Sequence, residues 1–139
     1  MIVLDTSGVL AWLDGSQRHH QRVRTVMSGR TDRLLLSPFV LAELDYLLAT
    51  RVGPRAQQAL LAEVAEGAMS LEPFGAAEIR ACLAVLERYS DLDIGLADAS
   101  IVFLAERFET DLILTLDERH FRALRTGSGN RLHLLPADA

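Results

Sequence analysis

A chain of 139 residues is sized for one domain, and with 50% apolar and 24% charged residues it has the composition of a folded protein and not of a disordered one. Its net charge is -5 at pH 7 and all fourteen cationic side chains are arginine, which excludes any function that needs a lysine at its centre. The single cysteine, Cys82, excludes an internal disulfide framework, and no apolar run approaches the roughly eighteen residues of a membrane span.

The N-terminus has no basic segment followed by an apolar one, so the expected location is cytoplasmic. Arginine-only usage reads first as a compositional bias, although the planar guanidinium fork also suits phosphate.

In chain order, "IVLD" at residues 2–5 reads as a short buried strand, and "TSGVLAWLD" as the helix it feeds. Thr6 or Ser7 is placed to cap that helix, and Trp12 reads as a core residue. "SQRHHQRVRTVMSGR" reads as a polar, basic helix ending near Gly29, and "DRLLLS" as a second strand running into Pro38. "SPFVLAELDYLLATRVG" has a serine cap, proline at its first position and a stop at Gly53, a consistent pair of helix signals. "PRAQQALLAEVAEGA" makes another helix, "MSLEPF" a third strand, and "AAEIRACLAVLERYSD" a long amphipathic helix with Cys82 as a small buried hydrophobe. After the break "SDLDIG" come the helix "LADASIVFLAERFET", the strand "LILTLD", the short helix "ERHFRAL", the turn "TGSGN" and a final strand "RLHLLP". Short strands alternating with helices predict a single α/β domain over residues 1–139. Its central, mainly parallel sheet has four to five strands and is covered by helices on both faces, with sites at the strands' carboxyl ends.

Asp5 closes the first strand and Asp117 the fourth, so both project from one sheet edge. Asp98 lies in the first turn of the "LADASI" helix, at the edge of the stripe formed by Ile94, Ile101, Ala105 and Phe108. Glu43 flanks the stripe of Val40, Leu44 and Leu47, and Asp45 is an equally polar candidate on its other flank. Each acid alone has a structural reading: Asp5 as a helix cap, Asp98 as a complement to the helix dipole, Asp117 as the cap of a short helix. Four near-core carboxylates converging would repel one another unless a cation joined them. Oxygen ligands without a cysteine or histidine set favour Mg²⁺ or Mn²⁺ over Zn²⁺, and such ions suit phosphodiester hydrolysis.

The segments "MIVLDTS", "SPFVLAEL", "LADASIVFLAE" and "LILTLDERHF" together resemble the four signature segments of PIN-domain ribonucleases, in particular VapC-type toxins. That resemblance covers essentially the whole chain and implies a PIN-like three-layer α/β/α domain and a Mg²⁺- or Mn²⁺-dependent endoribonuclease. Carried over by segment, it assigns the metal-binding and catalytic carboxylates to Asp5, Glu43, Asp98 and Asp117, which chooses Glu43 over Asp45. It assigns Thr6 and Thr115 as hydrogen-bonding supports to those ligands. It also implies attack by metal-activated water without a covalent enzyme intermediate, leaving 5′-phosphate and 3′-hydroxyl ends. The partners it implies are RNA as substrate, a VapB-type antitoxin that blocks the pocket, and a second toxin copy in a homodimer.

Other residues carry weaker signals. Asp91 and Asp93 could form an outer shell to the metal, with Asp93 as a cap of the next helix as the plainer alternative. Arg18, Arg22 and Arg24 form the most concentrated basic stretch and are candidate RNA or antitoxin contacts, and Arg119 and His120 follow Asp117 closely enough to meet RNA phosphate. Neighbouring His19 and His20 point about 100° apart on a helix and are read as a solvated face. Two rivals remain: a catalytically inactive PIN-like scaffold that binds RNA or protein, and a receiver-like signalling domain, which usually needs a lysine that this chain lacks. A haloacid-dehalogenase-like phosphatase lacks its Asp-x-Asp pair here, and a P-loop nucleotidase its Gly-Lys-Ser/Thr.

Overall fold

The computed structural model describes residues 1–139. Five short strands, β1 (Ile2–Leu4), β2 (Leu34–Leu36), β3 (Ser70–Leu71), β4 (Leu112–Leu114) and β5 (His133–Leu135), form one sheet. Its order is β3-β2-β1-β4-β5 and every pairing is parallel. Such strands need crossovers, supplied by the helices α1 (Thr6–Leu13), α2 (His20–Met27), α3 (Pro38–Arg51), α4 (Pro54–Ala65), α5 (Ala76–Arg88), α6 (Leu96–Arg107) and α7 (Glu118–Phe121).

The strands read as uninterrupted apolar runs because they are buried on both faces. Ile2, Val3, Leu4, Leu35, Leu36, Ile113, Leu114 and Leu134 have no exposed surface. At roughly 1.5–3 kcal/mol for each fully buried aliphatic side chain, this layer is the main driver of folding. Val40, Leu44 and Leu48 make the buried stripe of α3, while Ala99, Ile101, Val102, Leu104 and Ala105 fill the inner side of α6. Cys82 is buried and Trp12 packs partly buried against the core, both as expected.

Several local expectations are corrected. The N-cap of α1 is Asp5, whose side chain makes no cap hydrogen bond, while Thr6 and Ser7 lie inside the helix. Their hydroxyls are used across the fold instead, as described below. The basic helix begins only at His20, because Asp14 accepts from the amide of Ser16 at 3.0 Å and its hydroxyl at 2.8 Å, which turns the chain there. Arg18 therefore sits in a loop. His20 is not simply solvated, since its Nδ1 lies 2.8 Å from the Ala11 carbonyl oxygen of α1. The cap of α6 is Gly95, whose amide donates to Asp98 at 3.2 Å, so Asp93 does not cap that helix.

Candidate active site

The register of β1 against β4 builds the centre of the site. Leu4 pairs with Leu114, and the Asp5 amide continues the ladder by donating to the Leu114 carbonyl at 3.0 Å. That brings Asp5 beside Thr115, which is distant in sequence. The Thr115 hydroxyl donates to Asp5 Oδ2 at 2.6 Å and accepts the Asp117 amide at 2.9 Å. Ser7 repeats the pattern one position away: it donates to the same Oδ2 at 2.7 Å and accepts the Leu116 amide at 2.9 Å. Each hydroxyl thus uses its single proton on Asp5 and its lone pair on the chain after β4. Oδ2 is held by two charge-assisted bonds, and Oδ1 carries no side-chain hydrogen bond.

Glu43 and Asp98 arrive from helices. Thr6 donates to Glu43 Oε2 at 3.3 Å. Ser37, the N-cap of α3, lies 2.7 Å from Ser100 of α6, hydroxyl to hydroxyl, and both residues are fully buried. This contact sets the start of α3 against α6 and so the relation between Glu43 and Asp98. Asp45 faces elsewhere, accepting from Gln57 of α4 at 2.7 Å. Asp117 caps α7: its Oδ1 accepts the His120 amide at 3.1 Å and its Oδ2 lies 2.8 Å from His120 Nδ1.

Asp5, Glu43, Asp98 and Asp117 line one open cleft of about 360 Å³, together with Thr6, Ser7, Leu10, Gln17, Leu47, Arg51 and Leu116. Neither an apolar groove between α1, α3 and α4 nor a polar depression beside the turn after Thr126 includes any of the four. Burial leads the upward shift of three of these acids. Asp5 is raised by burial against the hydrogen bonds of Thr115, Ser7 and the Thr6 backbone, with the charge of Asp117 adding to the rise. Glu43, exposed as a whole residue, is raised by partial burial and further by Asp5 and Asp98, with Thr6 opposing. Asp98 is raised by burial, then by Asp5 and Asp117, against the Gly95 amide and His120. The His120 imidazole is raised chiefly by its hydrogen bond to Asp117.

No three acidic, histidine or cysteine side chains draw together into a ready chelate. The donor set fits a hard divalent cation: four carboxylates in one cleft, with hydroxyls behind them and no thiolate.

A PIN domain family model matches residues 2–126. The chain belongs to the PIN-domain family. It is 47% identical over 135 residues, 97% of this chain and 100% of the relative, to Ribonuclease VapC26 of Mycobacterium tuberculosis. Among solved structures, the PIN fold here is similar to that of Mycobacterium tuberculosis VapC20, a sarcin-ricin loop cleaving toxin. The TM-score is 0.79 at 21% identity, covering 86% of this chain and 92% of that one. FitAcB from Neisseria gonorrhoeae matches with a TM-score of 0.54 at 20% identity over 79% of this chain and 84% of that one. FitAB bound to an IR36 DNA fragment matches at 0.58 and 19% identity over 79% and 81%.

Within this PIN domain the remaining sequence candidates separate. Thr6 lines the cleft, and Thr115 is fully buried behind it on Asp5. His120 reaches it only through Asp117. Asp91 and Asp93 are exposed and do not line it. Arg18, Arg24 and Arg119 are exposed away from its lining, and Arg22 donates to the Pro136 carbonyl at 3.4 Å. Missed from sequence were Gln17, Arg51 and the role of Ser7. Ser7 was available as a second hydroxyl beside Asp5, but nothing local distinguishes a helix cap from a bond to the opposite strand.

Thr115→Val keeps the shape and removes the hydroxyl that joins Asp5 to the Asp117 amide. Metal-dependent cleavage is expected to fall about 10–100-fold, with weaker divalent-ion affinity. Calorimetric Mn²⁺ titration beside a cleavage assay checks it, and unchanged values in both would remove Thr115 from the support of the site.

Proposed function

We propose that the protein is a Mg²⁺- or Mn²⁺-dependent endoribonuclease and the toxin of a VapBC-type pair. The observation that supports this most is the cleft itself, lined together by Asp5, Glu43, Asp98 and Asp117, in a chain 47% identical to a protein named a ribonuclease. Those four carboxylates would hold the cation, and Thr115, Ser7 and Thr6 orient them through hydrogen bonds. A divalent ion held there supplies charge to polarise the phosphoryl group and to activate the attacking water. The chain's own part is to hold the acids in place, to fix Asp5 through Oδ2, and to leave the cleft open to a strand. The products are 5′-phosphate and 3′-hydroxyl ends.

A VapB-type antitoxin and a second copy of the chain are the proposed protein partners. Ile79 and Leu83 on α5, with Leu96 at the start of α6, are exposed apolar side chains that such partners would cover. No helix is long and apolar enough to cross a membrane.

Incubating purified protein with RNA is expected to yield discrete cuts with Mn²⁺ or Mg²⁺ and none in excess EDTA, with activity restored by returning the ion. Cleavage that persists in EDTA contradicts the metal assignment. Mapping 5′ ends in cells shortly after induction identifies the RNA cut, and growth inhibition relieved by a neighbouring small antitoxin gene supports the pairing.

A further inference from the structure

The cleft is acidic at its centre, yet a polyanionic strand has to lie along it. Four carboxylates line it and the whole chain carries a net charge of -5. Cationic groups that meet the strand's phosphates must therefore be local to the cleft. Of the fourteen arginines, only Arg51 lines it. Arg51 is the last residue of α3, the helix that carries Glu43. Eight residues separate the two, about 12 Å along a helix axis, and Leu47 between them lines the same cleft.

Arg51 is also unengaged. Five other arginines make ion pairs with carboxylates, and Arg22 and Arg125 donate to backbone carbonyls. The Arg51 side chain makes no ion pair and no hydrogen bond, although it shares its cleft with four acids. An exposed guanidinium without a partner keeps all five of its N–H donors for a ligand. Their fixed fork matches the oxygens of a phosphate.

We propose that Arg51 binds a backbone phosphate flanking the one to be cut and thereby sets how the RNA strand lies in the cleft. The proposal rests on the ribonuclease reading above. The separation from Glu43 along α3 assigns Arg51 to a neighbouring phosphate and not to the reacting one. Its contribution is positioning and binding, spread evenly over ground state and transition state, so it belongs in KM more than in kcat.

The test compares the chain as it stands with Arg51→Ala and Arg51→Lys, using a labelled single-stranded RNA. In Mn²⁺-supported cleavage, Arg51→Ala is expected to raise KM about tenfold and leave kcat within about twofold. In the Asp5→Asn background, where cleavage is expected to be slow enough for RNA affinity to be measured, adding Arg51→Ala should lower the slope of log affinity against log salt by about 0.7 for a single strand. Arg51→Lys should retain the salt slope and recover part of the KM. Unchanged KM and slope in a chain that still cleaves overturn the role of Arg51 and leave the ribonuclease reading standing. A loss confined to kcat overturns it equally. No cleavage and no RNA binding by the unsubstituted chain with either ion overturn both.

Discussion

Asp5→Asn is expected to lower metal-dependent RNA cleavage by at least about 10²–10³-fold while raising the Tm of the ion-free protein. Both effects have one source. The Asp5 carboxylate is buried, and burial holds it above its ordinary value despite two hydroxyl donors. An acid raised in the folded state contributes stability below its unfolded pKa and loses it as pH rises through the folded one. At neutral pH the charge is therefore destabilising, and asparagine removes it while its amide oxygen still accepts from Thr115 and Ser7. Such a trade of stability for activity is common at functional sites.

The ion reverses the balance. A ligand that binds only the folded state at a hundred times its Kd adds about 2.7 kcal/mol, so Mn²⁺ should raise the Tm of the unsubstituted chain more than that of Asp5→Asn. Asp5, Glu43 and Asp98 are all shifted upward, so ion-free stability should fall as pH rises from mildly acid toward neutral. Ion affinity should rise over the same interval, because binding needs the deprotonated acids. Asp138 is held at about 2 by the Arg122 guanidinium, so its contribution is lost only as pH drops from the usual carboxylate range toward that value, outside this window. Thermal melts across pH with and without Mn²⁺, beside an RNA cleavage assay, measure all of this. Retained cleavage by Asp5→Asn at matched concentration would remove Asp5 from the chemistry.

Gly8→Ala is expected to cost about 2–3 kcal/mol of stability and to abolish cleavage. In an ordinary helix the same change would stabilise, by about 0.5–1 kcal/mol, so the sign alone is informative. A Cβ on Gly8 would press on the Leu114 carbonyl oxygen, with the carbonyl carbon at 2.6 Å and the Leu114 Cγ at 2.8 Å. Backbone cannot yield as a flexible side chain can. Moving α1 off β4 would pull Ser7 away from the Leu116 amide and from Asp5. The expected Tm is lower by roughly 5–10 °C. A Tm at or above that of the unsubstituted chain would show that α1 can shift without cost.

Much of the molecule is legible in one dimension because its signals are local. Apolar runs such as "IVLD" and "LILTLD" mark strands buried on both faces, and Ser37 with Pro38 marks the start of α3. The errors fall where a residue has two uses of similar energy. Thr6 and Ser7 are good caps by type, but Asp5 ends β1 so abruptly that they fall inside the helix and their hydroxyls bond across the fold. Asp14 and Ser16 form a turn that shortens the basic helix, and the half-box between Gly95 and Asp98 takes the capping role assigned to Asp93.

Alone, the sequence determined the α/β class, the order of the elements, and four acids whose segments resemble a PIN nuclease. Tertiary structure alone decided which acid each hydroxyl holds. The β1–β4 register sets Asp5 against Thr115, 110 residues away, and Gly8 lets α1 approach β4 closely enough for Ser7 to join them. It also placed Arg51, not the cluster Arg18, Arg22 and Arg24, on the lining of the cleft. The reason is physical: helix and strand periodicity encode which face of an element is apolar, whereas a polar side chain's partner depends on what the rest of the chain brings opposite it.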